Sequence, residues 1–216
     1  MSRISAAILI SGSGTNLQAF VDAVQDKALD LDIALVLSNR ADAAGLERAR
    51  KAGIPTACIS NIEFADREQF DAALAVELDR VNADLIILAG FMRILTAAFV
   101  AHFEGRILNI HPSLLPAYPG LHTHQRVIDA GDAWHGSTVH FVTAKLDGGP
   151  PIIQARVPVM PDDDADTLAA RVLNVEHQIY PQAATLIAAG RLKYRDGSAW
   201  LDGELLLEPI LFESHA

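Results

Sequence analysis

The chain has 216 residues, of which 50% are hydrophobic and 20% are charged, and its formal net charge at pH 7 is −10. This length and apolar content can bury the core of one globular domain. An acidic balance argues against broad binding to nucleic acids or to anionic membranes, because both carry negative charge themselves.

Two further features bear on the compartment in which the chain works. The apolar run at residues 6–11 is cut short by glycine, and it is too short for a signal peptide or a membrane span. The single cysteine, Cys58, can form no disulfide within the chain, and we expect it to be a buried core thiol. Both features predict a cytoplasmic protein.

In the first half of the chain, apolar runs alternate with segments whose apolar residues recur at helical spacing. The apolar runs predict strands at residues 6–11, 31–39, 54–60, 83–90 and 105–110. The periodic segments predict helices at residues 15–25, 43–53 and 66–81. Strands separated by helices predict a parallel sheet with right-handed crossovers, and strands that are apolar throughout indicate helices on both faces.

The second half of the chain has a different pattern. Residues 136–146 and 151–159 alternate in polarity, which is typical of antiparallel strands. Residues 162–190 predict a long helix with an acidic start, and residues 191–203 predict a hairpin that turns at Asp196 and Gly197. We expect the residues from Glu208 onward to be loosely held. The predicted fold is therefore α/β, with an antiparallel C-terminal part.

The segment LISGSGTNLQA joins the first predicted strand to the first predicted helix. Glycines let a backbone approach a ligand closely, and a helix start offers free N–H groups at the positive end of its dipole. The spacing matches neither G-x-x-x-x-G-K-[ST] nor G-x-G-x-x-G. Two interpretations remain open, a phosphate site for a mononucleotide or a tight turn capped by Thr15 or Asn16.

Polar side chains follow the fourth and fifth predicted strands, at the edge where open α/β sheets bind ligands. The segment after the fourth strand holds Met92, Arg93, Ile94 and Leu95. These residues would line a ligand, or they are core residues beside a solvated arginine. Asn109 and His111 end the fifth strand, and their spacing of two can place both side chains on one side of an extended backbone.

The chemistry of Asn109 and His111 suits a reaction at a carbonyl group. An amide N–H can donate to a developing oxyanion, and a histidinium can donate and also transfer a proton. Asp147 lies in a predicted loop, and if that loop reaches His111 its carboxylate would hold the imidazole cationic. A structural histidine and an ordinary Asp-Gly turn are the alternatives.

Two other clusters suggest metal sites. His122 and His124 have ligand-like spacing, but no third ligand stands out, so we predict no metal there. The acidic run at residues 161–166 precedes a long predicted helix, where carboxylates favour the helix dipole. We therefore interpret that run as a helix start.

Together these segments resemble the phosphoribosylglycinamide formyltransferases, the folate-dependent enzymes of purine synthesis. The resemblance is carried by ISGSGTNLQAF, SNRADAAGLERARKAGI, LAGFMRIL, ILNIHPSLLPAYPGLHTH, HGSTVHFVTAKLDGGPPIIQARVPV and EHQIYP, and it extends from Ile8 to about Gly203. It implies a Rossmann-like formyltransferase fold in one domain over residues 1–216. A mononucleotide-binding half would span residues 1–105, and a catalytic and folate-binding half would span residues 106–216.

The resemblance implies transfer of a formyl group from the cosubstrate 10-formyltetrahydrofolate to the amino group of 5'-phosphoribosylglycinamide. It implies small-molecule partners, with no metal, nucleic acid or membrane, in a monomer or a homodimer. The family's catalytic residues correspond to Asn109, His111 and Asp147. Its nucleotide-binding residues correspond to Gly14, Thr15, Asn16 and Glu176. Its folate-binding residues correspond to Arg67, Met92, Arg93, Ile94, Leu95 and Asn109.

One position departs from the family, because Leu173 stands where members carry a polar or basic residue near the phosphate. Three other functions stay open. The first is a formyltetrahydrofolate hydrolase, in which water replaces the amine. The second is a nucleotide-binding module without catalysis. The third is a transferase acting on tRNA, although the acidic charge and the lack of length for a further domain count against it.

Overall fold

The computed structural model describes residues 3–212. The helices are α1 (Thr15–Gln25), α2 (Ala44–Lys51), α3 (Arg67–Arg80), α4 (Ala97–His102), α5 (Thr123–Ala130) and α6 (Ala165–Ala188), with a 3-10 turn at Asn61–Glu63. The strands are β1 (Ile4–Ile10), β2 (Leu31–Ser38), β3 (Thr56–Cys58), β4 (Leu85–Leu88), β5 (Ile107–His111), β6 (Trp134–Phe141), β7 (Pro151–Pro158), β8 (Leu192–Arg195), β9 (Ser198–Leu201), β10 (Glu204–Leu205) and β11 (Ile210–Phe212).

Eight strands form one sheet in the order β11-β7-β6-β5-β4-β1-β2-β3. The strands from β3 to β5 are parallel, and β6 pairs antiparallel with both β5 and β7. A separate antiparallel sheet contains β8, β9 and β10. The predicted Rossmann-like α/β fold with an antiparallel C-terminal part is confirmed.

Helices cover both faces of the large sheet, as the apolar strands indicate. In β1, the side chains of Ala6, Ile8 and Ile10 pack in one core cluster with residues of α1, α2 and α6. The alternate residues Ala7 and Leu9 pack in a second cluster with residues of α3 and α4. Because successive side chains of a strand point to opposite faces, a buried sheet must be apolar at every position.

Most predicted elements are found with shifts of up to three residues at their ends, but β6 ends at Phe141, five residues before the predicted end. Asp66 caps α3 by accepting from the Gln69 N–H at 2.8 Å, and the hairpin turns at Asp196 and Gly197, which both have positive φ. That geometry is the one a type I′ turn requires. Strand β5 begins two residues later than predicted and ends one residue later, at His111. The helices α4 and α5 were not predicted, and they are short, with six and eight residues.

Two expectations were wrong. Cys58 is exposed, because β3 is the outermost strand of the sheet and pairs with β2 alone among the described strands. Residues Ile210–Phe212 are not loosely held, since they form β11 and pair in parallel with β7. The last four residues of the same predicted tail, 213–216, lie outside the described part of the chain. Among residues 3–212, no helix combines the length and the apolar character needed to cross a membrane.

Candidate active site

Residues from four separate segments meet where β1, β4 and β5 end. These strands are parallel neighbours, so their carboxyl ends lie at one edge of the sheet. The glycine-rich turn follows β1, and the segment that starts at Met92 follows β4. His111 is the last residue of β5, and the loop at residues 142–150 brings Asp147 against it.

His111 and Asp147 form a buried pair. The Nδ1 atom of His111 lies 3.6 Å from Oδ2 of Asp147, and both side chains are 8% exposed. The Nε2 atom of His111 lies 2.9 Å from the main-chain oxygen of Tyr118. A carbonyl oxygen can only accept, so Nε2 carries a hydrogen and Nδ1 is the nitrogen that can reach a ligand. The predicted meeting of the loop with His111 is present in the structure.

Asp147 is held by its loop in a defined orientation. Its Oδ2 accepts a hydrogen bond from the Gly120 N–H at 2.9 Å, which ties the loop to the proline-containing segment after β5. Its φ is +48°, in the left-handed region that aspartate tolerates better than most residues. The carboxylate therefore has one oxygen fixed by the main chain, while it still faces the imidazole of His111.

Asn109 is oriented by a histidine that the sequence analysis did not single out. His140 is paired with Asn109 across β5 and β6, and its Nε2 lies 3.2 Å from the Nδ2 of Asn109. The Nδ1 of His140 lies 2.9 Å from the main-chain oxygen of Phe141 and therefore carries the hydrogen. Burial lowers the pKa of His140, so the ring is neutral and its Nε2 accepts from the Asn109 amide. One amide hydrogen of Asn109 remains for a ligand.

The glycine-rich turn leaves the start of α1 without a side-chain cap. Gly14 is the N-cap residue with a φ of +71°, and no side chain accepts from the first N–H groups of the helix. The alternative of a cap by Thr15 or Asn16 is therefore wrong. A Cβ atom at Gly14 would lie 2.6 Å from the Cα of Gly45, so α2 packs directly on this turn. The arrangement keeps a helix N-terminus open to an anion.

Asn16 and Glu176 meet beside this turn, although they are 160 residues apart in the chain. The Asn16 amide donates to Oε2 of Glu176 at 2.9 Å, and Oε1 lies 3.0 Å from the Ser137 hydroxyl. Glu176 is 6% exposed, and burial raises its pKa. Leu173 lies one turn earlier on α6 and is half-buried.

The segment after β4 presents apolar side chains to solvent. Met92 is 71% exposed and Ile94 is 59% exposed, so the interpretation of both as core residues is wrong. Leu95 is half-buried against the core. The Arg93 guanidinium lies 5.8 Å from the centre of the Phe70 ring. Apolar side chains exposed together beside a polar site are typical of a ligand-binding wall.

Two connections position this wall. The Met92 N–H donates to the Ser11 hydroxyl at 2.8 Å, and the Ser11 N–H donates to the Gly90 carbonyl at 3.2 Å. The wall is thereby tied to the end of β1, next to the glycine-rich turn. Arg67, the remaining residue expected to bind folate, is the exposed first residue of α3.

The clusters that suggested metal sites have other roles. Asp164 caps α6 by accepting from the Thr167 N–H at 2.7 Å, and Asp163 forms an ion pair with Arg171 at 2.7 Å. The interpretation of the acidic run as a helix start is confirmed. His124 contacts His135, with a distance of 3.0 Å between Nδ1 and Nε2. In the described range of 3–212, no group of three His, Cys, Asp or Glu side chains is arranged to hold a metal ion.

The pair of His124 and His135 predicts a loss of stability in acid. Burial lowers the pKa of His135 from 6.5 to about 4, and it lowers the pKa of His124 as well. Between pH 6.5 and about 4 the unfolded chain binds protons that the folded chain does not, so stability falls as the pH falls. The His135 contribution is roughly 2–3 kcal/mol.

The measurement is urea unfolding of the wild type and of His135→Gln at pH 7 and at pH 4.5. The variant should lose less stability between these two values than the wild type loses. His102→Gln, which changes a half-exposed histidine beside Asp79, serves as the control and should behave as the wild type does. Equal losses of stability in the wild type and in His135→Gln would contradict the attribution of the acid destabilisation to His135.

The sequence and the fold are similar to those of known proteins. Residues 4–184 match the family model described as formyl transferase. The chain belongs to the formyl transferase family.

Relatives match this chain over most of its length. The chain is 52% identical over 203 residues to a protein from Escherichia coli named phosphoribosylglycinamide formyltransferase, and the match covers 94% of this chain and 96% of that protein. It is 49% identical over 190 residues to the trifunctional purine biosynthetic protein adenosine-3 of Drosophila melanogaster, covering 87% of this chain and 14% of that protein. The solved phosphoribosylglycinamide formyltransferase of Coxiella burnetii superposes with a TM-score of 0.93 at 49% identity, covering 98% of this chain and all of that one.

These comparisons confirm the resemblance to phosphoribosylglycinamide formyltransferases and the expected enzyme class, a formyltransferase of purine biosynthesis. The structure brings Asn109, His111 and Asp147 to one place, and it brings Asn16 and Glu176 to the glycine-rich turn. The roles of these residues remain predictions, as does the division into two halves at residue 105.

Proposed function

We propose that this formyl transferase moves the formyl group of 10-formyltetrahydrofolate to the amino group of 5'-phosphoribosylglycinamide. The products are the formylated nucleotide and tetrahydrofolate. The names of the relatives that are about 50% identical support this reaction. The observation that carries the proposal is the approach of Nδ1 of His111 to 3.6 Å from Asp147, beside an amide that has one hydrogen to offer.

The first step is attack of the substrate amine on the formyl carbon. The carbon becomes tetrahedral, and its oxygen gains negative charge. The second amide hydrogen of Asn109 and a protonated Nδ1 of His111 are the donors for this oxyanion. Since the nucleophile belongs to the substrate, the protein does not need one of its own.

The second step is breakdown of the tetrahedral intermediate. The bond between the formyl carbon and the folate nitrogen breaks, and one proton moves from the amine to that nitrogen, so the overall reaction neither consumes nor releases protons. The carboxylate of Asp147 lies 3.6 Å from His111. We assign it the role of general base, which takes the proton of the amine through a water molecule. Its charge also stabilises the histidinium while the oxyanion exists.

The nucleotide phosphate would bind at the turn formed by residues 12–16. The support is the open helix start at Gly14, where N–H groups and the helix dipole attract anions. Thr15 and Asn16 would add side-chain contacts, and Glu176 would meet the nucleotide beside Asn16. On this assignment the amine of the bound nucleotide points toward His111.

Gly14→Ala tests the phosphate assignment. A side chain at Gly14 adopts an unfavourable φ and also meets the backbone of Gly45, so the turn must shift away from α2. Gly53→Ala is a matched control, because Gly53 has a φ of +73° and an added Cβ there would have no other atom within 4 Å. Both variants should lose roughly 1 kcal/mol of stability from the φ alone.

Only Gly14→Ala should also weaken nucleotide binding, by roughly tenfold or more if one phosphate contact of about 1.4 kcal/mol is lost. Calorimetric titration with the nucleotide measures the affinities. If the two variants bound it equally well, the phosphate would have to lie elsewhere.

Leu173→Lys tests the departure from the family. A leucine cannot contact a phosphate, whereas a lysine on the same face of α6 as Glu176 would place an ammonium group there. We expect the nucleotide Kd to fall by roughly threefold to tenfold, the scale of a partly exposed ion pair. Leu173→Met, which keeps the size without the charge, should leave the Kd unchanged. An unchanged Kd in the lysine variant would mean that another group already satisfies the phosphate.

The folate would lie along the wall that begins at Met92. The exposed apolar side chains of Met92 and Ile94 suit the flat ring system of a pterin. Leu88, at the end of the strand that leads to this wall, is paired with Asn109. Arg93, Leu95 and Arg67 would complete the site, with the arginines suited to the carboxylates of a folate tail. We also propose that the protein acts in the cytoplasm, on small molecules alone, as a monomer or homodimer and without a metal.

A two-substrate assay tests the proposed reaction. The protein is incubated with 10-formyltetrahydrofolate labelled at the formyl carbon, with and without the nucleotide. The proposal predicts labelled formylated nucleotide, and consumption of the folate that depends on the nucleotide. Release of labelled formate at an equal rate in both samples would instead identify a hydrolase.

A further inference from the structure

The Ser137 hydroxyl lies between two acceptors. Its Oγ is 2.8 Å from the main-chain oxygen of His111 and 3.0 Å from Oε1 of Glu176, and Ser137 is fully buried. A hydroxyl has one hydrogen, and a carbonyl oxygen has none. If Glu176 were ionised, the single hydroxyl hydrogen would have to be shared between two acceptors, which weakens both contacts. Each contact is a full two-centre hydrogen bond only if Oε1 of Glu176 carries a proton.

The surroundings of Glu176 also favour the neutral acid. Its side chain is 6% exposed, and its Oε2 accepts from the Asn16 amide at 2.9 Å. Among residues 3–212, no hydrogen bond or ion pair brings a lysine, arginine or histidine to this carboxyl group. A buried carboxylate without a cationic partner is costly, and burial is the largest cause of its raised pKa.

The other end of this chain of contacts is the catalytic strand. The main-chain oxygen of His111 accepts from the Ser113 N–H at 2.8 Å as well as from the Ser137 hydroxyl. These bonds hold the peptide group from which the imidazole of His111 branches. A change at Glu176 can therefore reach the position of His111 through one side chain, Ser137.

We propose that Glu176 is protonated in the ligand-free protein and that Ser137 is a positioning residue, which links this acid to the main chain of His111. The chain of bonds runs from the Glu176 O–H to the Ser137 oxygen, and from the Ser137 O–H to the carbonyl of His111. This inference rests on the proposed function, in which Glu176 meets the nucleotide and His111 meets the formyl group. Glu176, which would recognise the nucleotide, thus also orients His111, which would activate the formyl oxygen.

The protonation state can be measured without any substrate. Infrared difference spectra of the ligand-free wild type against Glu176→Gln should contain the carbonyl stretch of a protonated carboxyl group at neutral pH. Ser137→Ala should shift this band, because the acid loses its acceptor. A spectrum that shows only carboxylate bands for Glu176 would overturn the proposal, whether or not the protein transfers formyl groups. A protein that has the band but makes no formylated nucleotide would instead contradict the proposed function.

Kinetics test the positioning role. Ser137→Ala should lower kcat by roughly tenfold, the effect of one hydrogen bond of about 1.4 kcal/mol, and should change the nucleotide KM much less. Ser137→Thr keeps the hydroxyl and should recover most of the rate. Ser38→Ala removes an equally buried strand hydroxyl, whose partner is the Arg40 N–H, and should leave kcat as it is. Equal kcat values for Ser137→Ala and Ser38→Ala would overturn the positioning role.

Discussion

His111→Ala is expected to lower turnover by roughly 10² to 10⁴-fold, the range for loss of a positioned acid or an oxyanion donor. The imidazole stands at the end of β5 with Nε2 held by the Tyr118 carbonyl and Nδ1 directed at Asp147. Its removal takes away one donor to the oxyanion and the partner of the carboxylate. Nucleotide affinity should stay close to that of the wild type, because the proposed phosphate site is formed by other residues.

The measurements are kcat at saturating substrates and the nucleotide Kd by calorimetry. His102→Ala is the control, since His102 also contacts an aspartate, Asp79, but contacts none of the site residues. It should leave both quantities unchanged. If His111→Ala kept a rate within a few-fold of the wild type, the imidazole would have no part in the chemistry.

Asp147→Asn is expected to lower kcat by roughly 10²-fold or more, the scale of general base catalysis. Asparagine has nearly the same size and can still accept from the Gly120 N–H through its oxygen, so the loop should keep its position. The variant lacks the negative charge that faces His111. It also lacks the basic carboxylate that would accept the proton of the amine. Loss of one neutral hydrogen bond would cost only about tenfold in rate.

The matched control is Asp163→Asn, which removes the charge of another aspartate with a buried side chain. Asp163 is paired with Arg171 and contacts none of the site residues. This variant should lose stability, because the ion pair lowers the pKa of Asp163 to about 2, and it should retain its kcat. A kcat for Asp147→Asn within tenfold of the wild type would leave Asp147 as a residue that only orders the loop.

Much of the fold follows from local patterns. Apolar runs and helical spacing predict β1 to β5 and the helices α1, α2, α3 and α6, because a sheet covered on both faces needs apolar residues throughout. The exposure of Cys58 and the pairing of β11 depend on the order of strands in the sheet, which local patterns do not contain. The helix α5 was missed because its eight residues include two large apolar side chains only, Val127 and Ile128.

The candidate site is less accessible to sequence reasoning. A spacing of two residues predicts that Asn109 and His111 share one side of β5, since alternation is a property of a single strand. The approach of Asp147 depends on the path of a loop. The contact of His140 with Asn109 depends on the register between β5 and β6. The contact of Ser137 with Glu176 joins β6 to α6 through two residues that are 39 positions apart in the chain. Such contacts are set by tertiary packing.

The most direct test of the central claim is a crystal structure with the nucleotide and an unreactive analogue of 10-formyltetrahydrofolate bound together. The claim is that Asn109, His111 and Asp147 surround the formyl carbon. The account predicts the formyl oxygen of the analogue within about 3 Å of both Nδ2 of Asn109 and Nδ1 of His111. It also predicts the nucleotide amine on the side of Asp147 and the phosphate at Gly14. A formyl group bound away from Asn109 and His111 would contradict the account.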